Sequence, residues 1–442
     1  MQHSNDEGIT MTDLAQYVQS TPLMDTHEHT IKEADYVNNG PDVQQDLFGL
    51  YIPDDLLTAG APRHALFQVL EPHDPDIGQW WDNIKEAWQH SQFTGYGRAV
   101  RYAAKTVYGM DEINAETLQA AAERNVQLRQ PGERLRLLKE TANLDHIQID
   151  HFVWACLPDP SGPDFFLYDI SWESFCNGQI DFKALHDETQ IDVTDLATLR
   201  QAMAGLFAKY GPCAIAVKAQ HAYTRTLAWR ERDDAEAEPV LQKMRRGEPL
   251  SKPERLCIGD WCCARGVELA TEHRLPFKIH TGYLARTEVM VDPDRTRPSH
   301  LAPLLARYKD ARFVLMHTAY PYSGELIALA KHFPCVYVDM CWGWGIDFRN
   351  AMDFVRRMIH TVPVNKLFVF GGDSFTPSAS VAYAAQARDG LTRALQAEID
   401  DGFLTEAEAI HIASRFMRDN QAACFDLDGT RAAIHARLSA GQ

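Results

Sequence analysis

In the segment Asp25-Thr26-His27-Glu28-His29 two imidazoles stand two residues apart. Alternate side chains of an extended strand share a face, so His27 and His29 point the same way and can share one ion. Three further strand-like runs end on metal-capable side chains: Ile279-His280-Thr281-Gly282, Leu315-Met316-His317-Thr318 and Gly371-Gly372-Asp373-Ser374. A core histidine accounts for any one of these. It does not account for several run ends in register. A divalent ion held by such a set lowers the pKa of bound water towards ~7 and so supplies hydroxide at neutral pH. Asp373 is placed both to touch the ion and to accept the proton, while the ion or His317 polarises a carbonyl. Zinc suits histidine and carboxylate ligands around an open position. Manganese and iron stay open, because availability partly decides metal identity.

These residues need a scaffold that brings strand ends together. Apolar runs that read as buried parallel strands recur along the chain: Leu23 to His29, His146 to Trp154, Phe165 to Ile170 (the weakest), Cys213 to Ala219, Pro276 to Tyr283, Arg312 to Tyr320, Cys335 to Met340 and Leu367 to Asp373. Helical patterns separate them, which predicts an α/β fold, and the number of runs predicts a closed (β/α)8 TIM barrel. In that fold the C-terminal strand ends converge on one face, where active sites lie. The reading is a single barrel domain over 1–442, interrupted after the first strand by a helical insertion at about 31–142. The stretch from Asp76 to Glu140, with Trp80, Trp81 and Trp88 near its start, is the helical part, and it should cover the barrel mouth. The charged stretch from Arg230 to Glu254 reads as a solvated loop or helix face. Near the C-terminus Thr405 and Glu408 predict a capping box, followed by Ala409, Ile412, Ala413 and Phe416 on one helix face.

Loops after the strands nominate substrate contacts: Arg225, then Tyr283 and Arg286, then Tyr320 and Tyr322, then Trp342 and Trp344 in Cys-Trp-Gly-Trp-Gly. Arginines and aromatics suit a carboxylated substrate with an apolar or sugar-like body. The glycines of the tryptophan loop would let its backbone approach a ligand.

A net charge of −18 argues against nucleic acid or an anionic membrane as partner. The expected partner is a small molecule, with a homo-oligomer left open. The nine cysteines form no CxxC pair and no disulfide framework, and mostly read as small buried hydrophobes. The first residues show no leader pattern and no apolar run is long enough to span a bilayer, so the expected location is the cytoplasm.

His-x-His on the first strand, His on the fifth and sixth and Asp on the eighth resembles the amidohydrolase superfamily. The segments HTGY, HTAYPYSGELIALAK, VYVDM and FGGDS resemble its amidohydrolase-2 branch, including proteins related to the N-terminal part of FluG. The likeness covers nearly the whole chain and implies a metal-dependent hydrolase of a small amide, ester or lactone; Arg225 and Arg286 add the expectation that this substrate bears a carboxylate. It implies a ligand set of His27, His29, Lys218, His280, His317 and Asp373, with Asp373 and His317 catalytic. Lys218 stands where binuclear members carry a CO2-carboxylated lysine; a plain ammonium has no lone pair for a metal, whereas a carbamate can bridge two ions. In the superfamily's scheme Asp373 passes its proton to the leaving group. The resemblance also allows a decarboxylase or uronate-isomerase-like enzyme, and a non-catalytic metal-binding relative. Lys218 is what discriminates hydrolysis from the second of these readings.

Overall fold

The computed structural model describes residues 12–70, 76–286 and 292–441, with backbone alone for 67–70. The N-terminal stretch read for a leader lies almost entirely outside these residues.

Eight strands form one sheet in chain order, each parallel to the next. They are β1 (Leu23–Glu28), β2 (Leu144–Ile149), β3 (Phe166–Ser171), β4 (Ala214–Ala219), β5 (Phe277–Ile279), β6 (Phe313–Leu315), β7 (Val336–Asp339) and β8 (Leu367–Phe368). Residues that follow β8 return to β1 and bring the two edges together. Thr26 N–H donates to the Phe370 carbonyl at 3.2 Å, Asp373 N–H to His27 O at 2.9 Å, and His29 N–H to Ser374 O at 2.8 Å. The chain is thus a TIM barrel. Every residue of β1, β3 and β4 is buried, as expected of strands covered on both faces. Deep in the barrel Lys278 pairs with Asp169 at 2.9 Å and donates to Thr26 O at 2.7 Å, so this interior charge is both neutralised and bonded.

The strands end earlier than the apolar runs do. The runs through Tyr283, Tyr320 and Asp373 leave the ladder after Ile279, Leu315 and Phe368. Positive φ at Gly282 (78°), His317 (66°) and Asp373 (52°) turns the backbone out of the extended region, so His280, His317 and Asp373 sit just beyond the strands. The second run ends at Ile149, and the rest of it forms a loop.

Helices fill the stretch between β1 and β2, from Glu33–Asn39 to the turn at Leu137–Thr141, starting earlier than Asp76. Phe48 lies edge-on to Trp80, Trp81 and Trp88, with ring centroids 5.3, 6.4 and 5.4 Å away, and these rings form the insertion's own core. The insertion is fastened to the helix after β8, Pro377–Asp400, through Asp46. The Asp46 carboxylate accepts from Tyr108 Oη at 2.5 Å and Ser378 Oγ at 2.6 Å. Residues 50–66 of the insertion reach the barrel mouth. In the charged stretch, an Asp233–Glu236 capping box starts the helix Asp234–Arg245. Both bonds of the Thr405–Glu408 box are present, and Ala409, Ile412, Ala413 and Phe416 are buried.

Candidate functional site

His27 and His29 leave β1 on the same side, with ring centroids 4.6 Å apart. Between them Glu28 points the opposite way, as strand alternation requires. Its carboxylate accepts from Ser374 N–H at 2.6 Å and Ser380 Oγ at 2.7 Å. Burial pushes the Glu28 carboxyl up to about 7, and burial together with the Glu28 charge pushes neighbouring Asp25 well up. Gly371 and Gly372 carry the chain past these groups. A β-carbon at Gly372 would lie 2.1 Å from Glu28 Oε1, and one at Gly371 would lie 2.8 Å from Cys341 Sγ. The diglycine therefore lets Asp373 swing in beside the histidines. Asp373 Oδ1 lies 3.2 Å from His27 Nε2 and 3.3 Å from His29 Nε2.

The donor set fits a divalent cation. His29 Nδ1 lies 2.7 Å from the Asp150 carbonyl, which fixes the tautomer and turns Nε2 towards Asp373. His27 Nε2 faces both Asp373 Oδ1 and Lys218 Nζ, the latter at 3.1 Å. One ring nitrogen cannot donate to a carboxylate and accept from an ammonium together, but its lone pair and the carboxylate can both serve a cation. Nδ1 of His27 and Nε2 of His317 are buried without a hydrogen-bond partner. Burial and the Lys218 charge hold His27 well below the usual histidine range, and burial brings His317 down to about 4, so both rings are neutral, the ligand form. Burial works against the Asp373 carboxylate, but bonds to His27 and His29 outweigh it and hold the group well below the usual range.

Among the described residues, His27, His29 and Asp373 place one ligand atom each within 4.8 Å of one another, and so do His317, Cys341 and Asp373. His280 is adjacent but outside both groups: its ring centroid is 4.2 Å from that of His317, and its Nε2 lies 2.8 Å from the Tyr283 carbonyl. His317 Nδ1 bonds the Cys341 carbonyl at 3.0 Å and lies 4.0 Å from Asp373 Oδ2. Lys218 does not pair with Asp373; its second contact is Gln220 Oε1 at 3.3 Å.

A cavity of about 500 Å³ opens onto this cluster, lined by His29, His280 and Asp373, by Glu173, Gln220 and Tyr223, and by residues of the insertion. A larger open groove of about 800 Å³ between insertion helices and Pro377–Asp400 holds none of the candidate ligands. Of the nominated substrate contacts, Arg286 lines the cavity. Trp342, held at φ 62°, backs the site: its ring is 5.5 Å from His317 and 4.5 Å from Tyr51. Tyr283 packs 5.8 Å from Trp342 and lends its carbonyl to His280.

The other nominated residues lie elsewhere. Arg225 is turned into the wall, where its guanidinium pairs with Asp260 at 2.5 Å and donates to the Cys176 carbonyl at 3.1 Å. Trp344 donates to Val369 O at 2.8 Å, and its ring occupies the space a β-carbon on Gly390 would need. Tyr320 packs edge-on to Tyr283 outside the cavity, with centroids 6.1 Å apart, and Tyr322 lies beneath the Arg297 guanidinium. The glycines of the tryptophan loop serve packing rather than ligand approach: Gly343 meets Thr318, and Gly345 meets Tyr383. Sequence reasoning missed Tyr51, Phe152, Glu173, Tyr223 and Phe375, all at the cavity. Tyr51 Oη donates to the Asp373 carbonyl at 2.5 Å.

An eight-stranded barrel with histidines and an aspartate gathered at its C-terminal mouth defines a metal-dependent barrel enzyme. Residues 222–412 match the family model described as Amidohydrolase. Over 445 aligned residues the chain is 23% identical to the protein FluG of Emericella nidulans, a match covering 95% of this chain and 47% of FluG. The chain thus spans about half the length of the curated relative it matches. The uronate isomerase of Thermotoga maritima superposes with a TM-score of 0.75 at 15% identity, covering 96% of this chain and all of that one. A Lactobacillus casei structure named for a metal-dependent hydrolase superposes with a TM-score of 0.61 at 17% identity, over 97% and 99% of the two chains. Residues 222–412 thus resemble an amidohydrolase, and the chain is similar to FluG over nearly its whole length.

Proposed function

We propose that this enzyme hydrolyses a small carboxylated amide, ester or lactone, with Asp373 as its proton carrier. The observation that carries the reading is the buried, ionised Asp373 carboxylate shared between His27 and His29 at the cavity floor. His27, His29 and Asp373 would hold the divalent ion, zinc being the best match to these ligands. Such an ion supplies Lewis acidity to a substrate oxygen and acidity to water. Asp373 accepts the proton of the attacking water and returns it to the leaving nitrogen or oxygen. His317, a neutral ring beside Asp373, would polarise the carbonyl. Arg286 at the cavity rim would hold the substrate carboxylate. The buried free thiols accord with a reducing compartment, and we place the protein in the cytoplasm. No helix among the described residues is long and apolar enough to cross a membrane.

Metal analysis and turnover of two variants test this. His27→Ala should lose its metal. Asp373→Asn keeps the shape and one coordinating oxygen, so it should retain much of its metal while turnover falls by more than ~10²-fold, the scale of acid–base catalysis. Near wild-type turnover in metal-loaded Asp373→Asn would remove the proton-carrier role.

A second reading, decarboxylation or isomerisation around one ion, is favoured by His280 standing outside the ligand groups with its Nε2 engaged by Tyr283. A carboxylated Lys218 bridging two ions would decide for hydrolysis. A plain lysine beside a single ion, or CO2 release without water consumption, would decide against it.

A further inference from the structure

We propose that the substrate carries a flat apolar ring and that Phe152 and Phe375 select it. This deepens, and rests on, the assignment of the cavity as a metal-dependent active site. Both phenyl groups line the cavity, and both stay nearly half in solvent, with exposures of 49% and 43%. Their rings flank His29 almost in parallel: the Phe152 centroid is 4.5 Å away at an interplanar angle of 8°, and the Phe375 centroid 5.2 Å away at 21°.

Phe152 sits at φ 61°, a left-handed conformation in which a bulky residue is strained. Asp150 imposes it: the carboxylate accepts from Phe152 N–H at 2.9 Å, while the same residue's carbonyl is bonded to His29 Nδ1. One residue therefore sets both the direction of a metal-facing imidazole and the position of the phenyl ring over it. A strained, half-solvated aromatic at a cavity lip is a cost to the empty fold, and such costs concentrate where a ligand recovers them.

The remaining walls decide the ligand's character. The insertion contributes Leu50, Leu57 and Leu66 to the lining, with Asp54 and Arg63 among them, while Glu173, Gln220 and Tyr223 line the barrel side, beside the metal cluster. Along the leucines and the two phenyl rings, a polyhydroxylated acid would set hydroxyls against hydrocarbon, where they lose their hydrogen bonds to water without replacement. A flat ring meets hydrocarbon and aromatic faces instead. The Arg286 side chain at the lip suits a single carboxylate on such a molecule.

Isothermal titration of the zinc-loaded protein with two carboxylates, cinnamate and D-glucuronate, separates the alternatives. Cinnamate should bind about tenfold tighter, the scale of a favourable aromatic contact. Phe375→Ala and Phe152→Gly should each weaken cinnamate binding by about tenfold while metal content stays unchanged. Phe152→Gly should also melt no lower than wild type, because glycine removes the strained φ. Equal or tighter binding of glucuronate, or unchanged cinnamate binding by both variants, would overturn the proposal. So would a marked loss of thermal stability in Phe152→Gly, which would give that ring a structural role. If cinnamate binds as expected but aryl amides and esters are left intact, ring selection stands and hydrolysis falls.

Discussion

At the residue scale the candidate centre depends on side chains that do no chemistry. Gly372 is the sharpest case, since a methyl group there would meet Glu28 Oε1. Gly372→Ala should cost roughly 1–3 kcal/mol by overpacking. It should also weaken metal binding by displacing Asp373. Calorimetric melting and a metal titration check both, and unchanged values in both would mean the loop absorbs the methyl. The gathering of His27, His29, His280, His317 and Asp373 at one mouth was legible because strand alternation and the ends of apolar runs are local patterns, whereas His280 falling outside both ligand groups was not. Arg225 misled for a related reason: its place just after β4 is that of a mouth residue, but its charge partner, Asp260, lies 35 positions on. Phe152 and Phe375 were silent because nothing local announces that a phenylalanine will be left in solvent. Glu28 drew no reading from the sequence, although strand alternation sends it to the face opposite the histidines.

At the scale of elements, the order of strands and helices was readable, but the points where strands stop were not. An apolar run continues through His280 and His317 because both are buried, while hydrogen-bond pairing ends once the backbone turns. What holds the N-terminal side of the barrel was equally invisible. Arg388, on Pro377–Asp400, is buried and donates to the carbonyls of Val18 at 2.5 Å, Thr21 at 2.6 Å and Asn143 at 2.9 Å. It thereby ties the entries of β1 and β2 to one helix, and burial brings its pKa down to about 10. Arg388→Met keeps much of the volume but takes the guanidinium from the Val18 and Thr21 carbonyls, at ~1–3 kcal/mol for each buried orphan, while Asn143 O keeps the Leu23 N–H at 3.1 Å. A fall in the urea midpoint equivalent to roughly 2–6 kcal/mol is expected. A midpoint within error of wild type would show that water replaces the guanidinium.

At the scale of the whole molecule, acid sensitivity follows from imidazoles buried in neutral form. His221, buried beyond β4, is brought down to about 3 by burial and then by the Arg225 charge, and its Nδ1 has no partner. The folded pKa is depressed, so below the ordinary value the unfolded chain binds the proton and the folded chain does not. Stability from this group is therefore complete above ~6.5 and is lost as pH falls towards 3. At ~1.4 kcal/mol per pH unit the loss by pH 4 is at most roughly 3 kcal/mol. His221→Gln should flatten the fall in urea midpoint between pH 7 and pH 4. An equally steep fall in the variant would assign the acid limb to other groups. Other histidines and carboxylates titrate over the same range, so the comparison with wild type is what isolates His221.

The cavity draws its floor and its roof from distant parts of the gene. The histidines and Asp373 come from strand ends of the barrel, whereas Leu50, Asp54, Leu57, Arg63 and Leu66 come from helices interposed between the first two strands. Tyr51 joins the halves through the Asp373 carbonyl. Recombination or drift confined to the interposed stretch can rewrite which molecules enter while the reacting groups keep their positions. Descendants of one ancestral barrel can in this way diverge in diet without having to reinvent their chemistry.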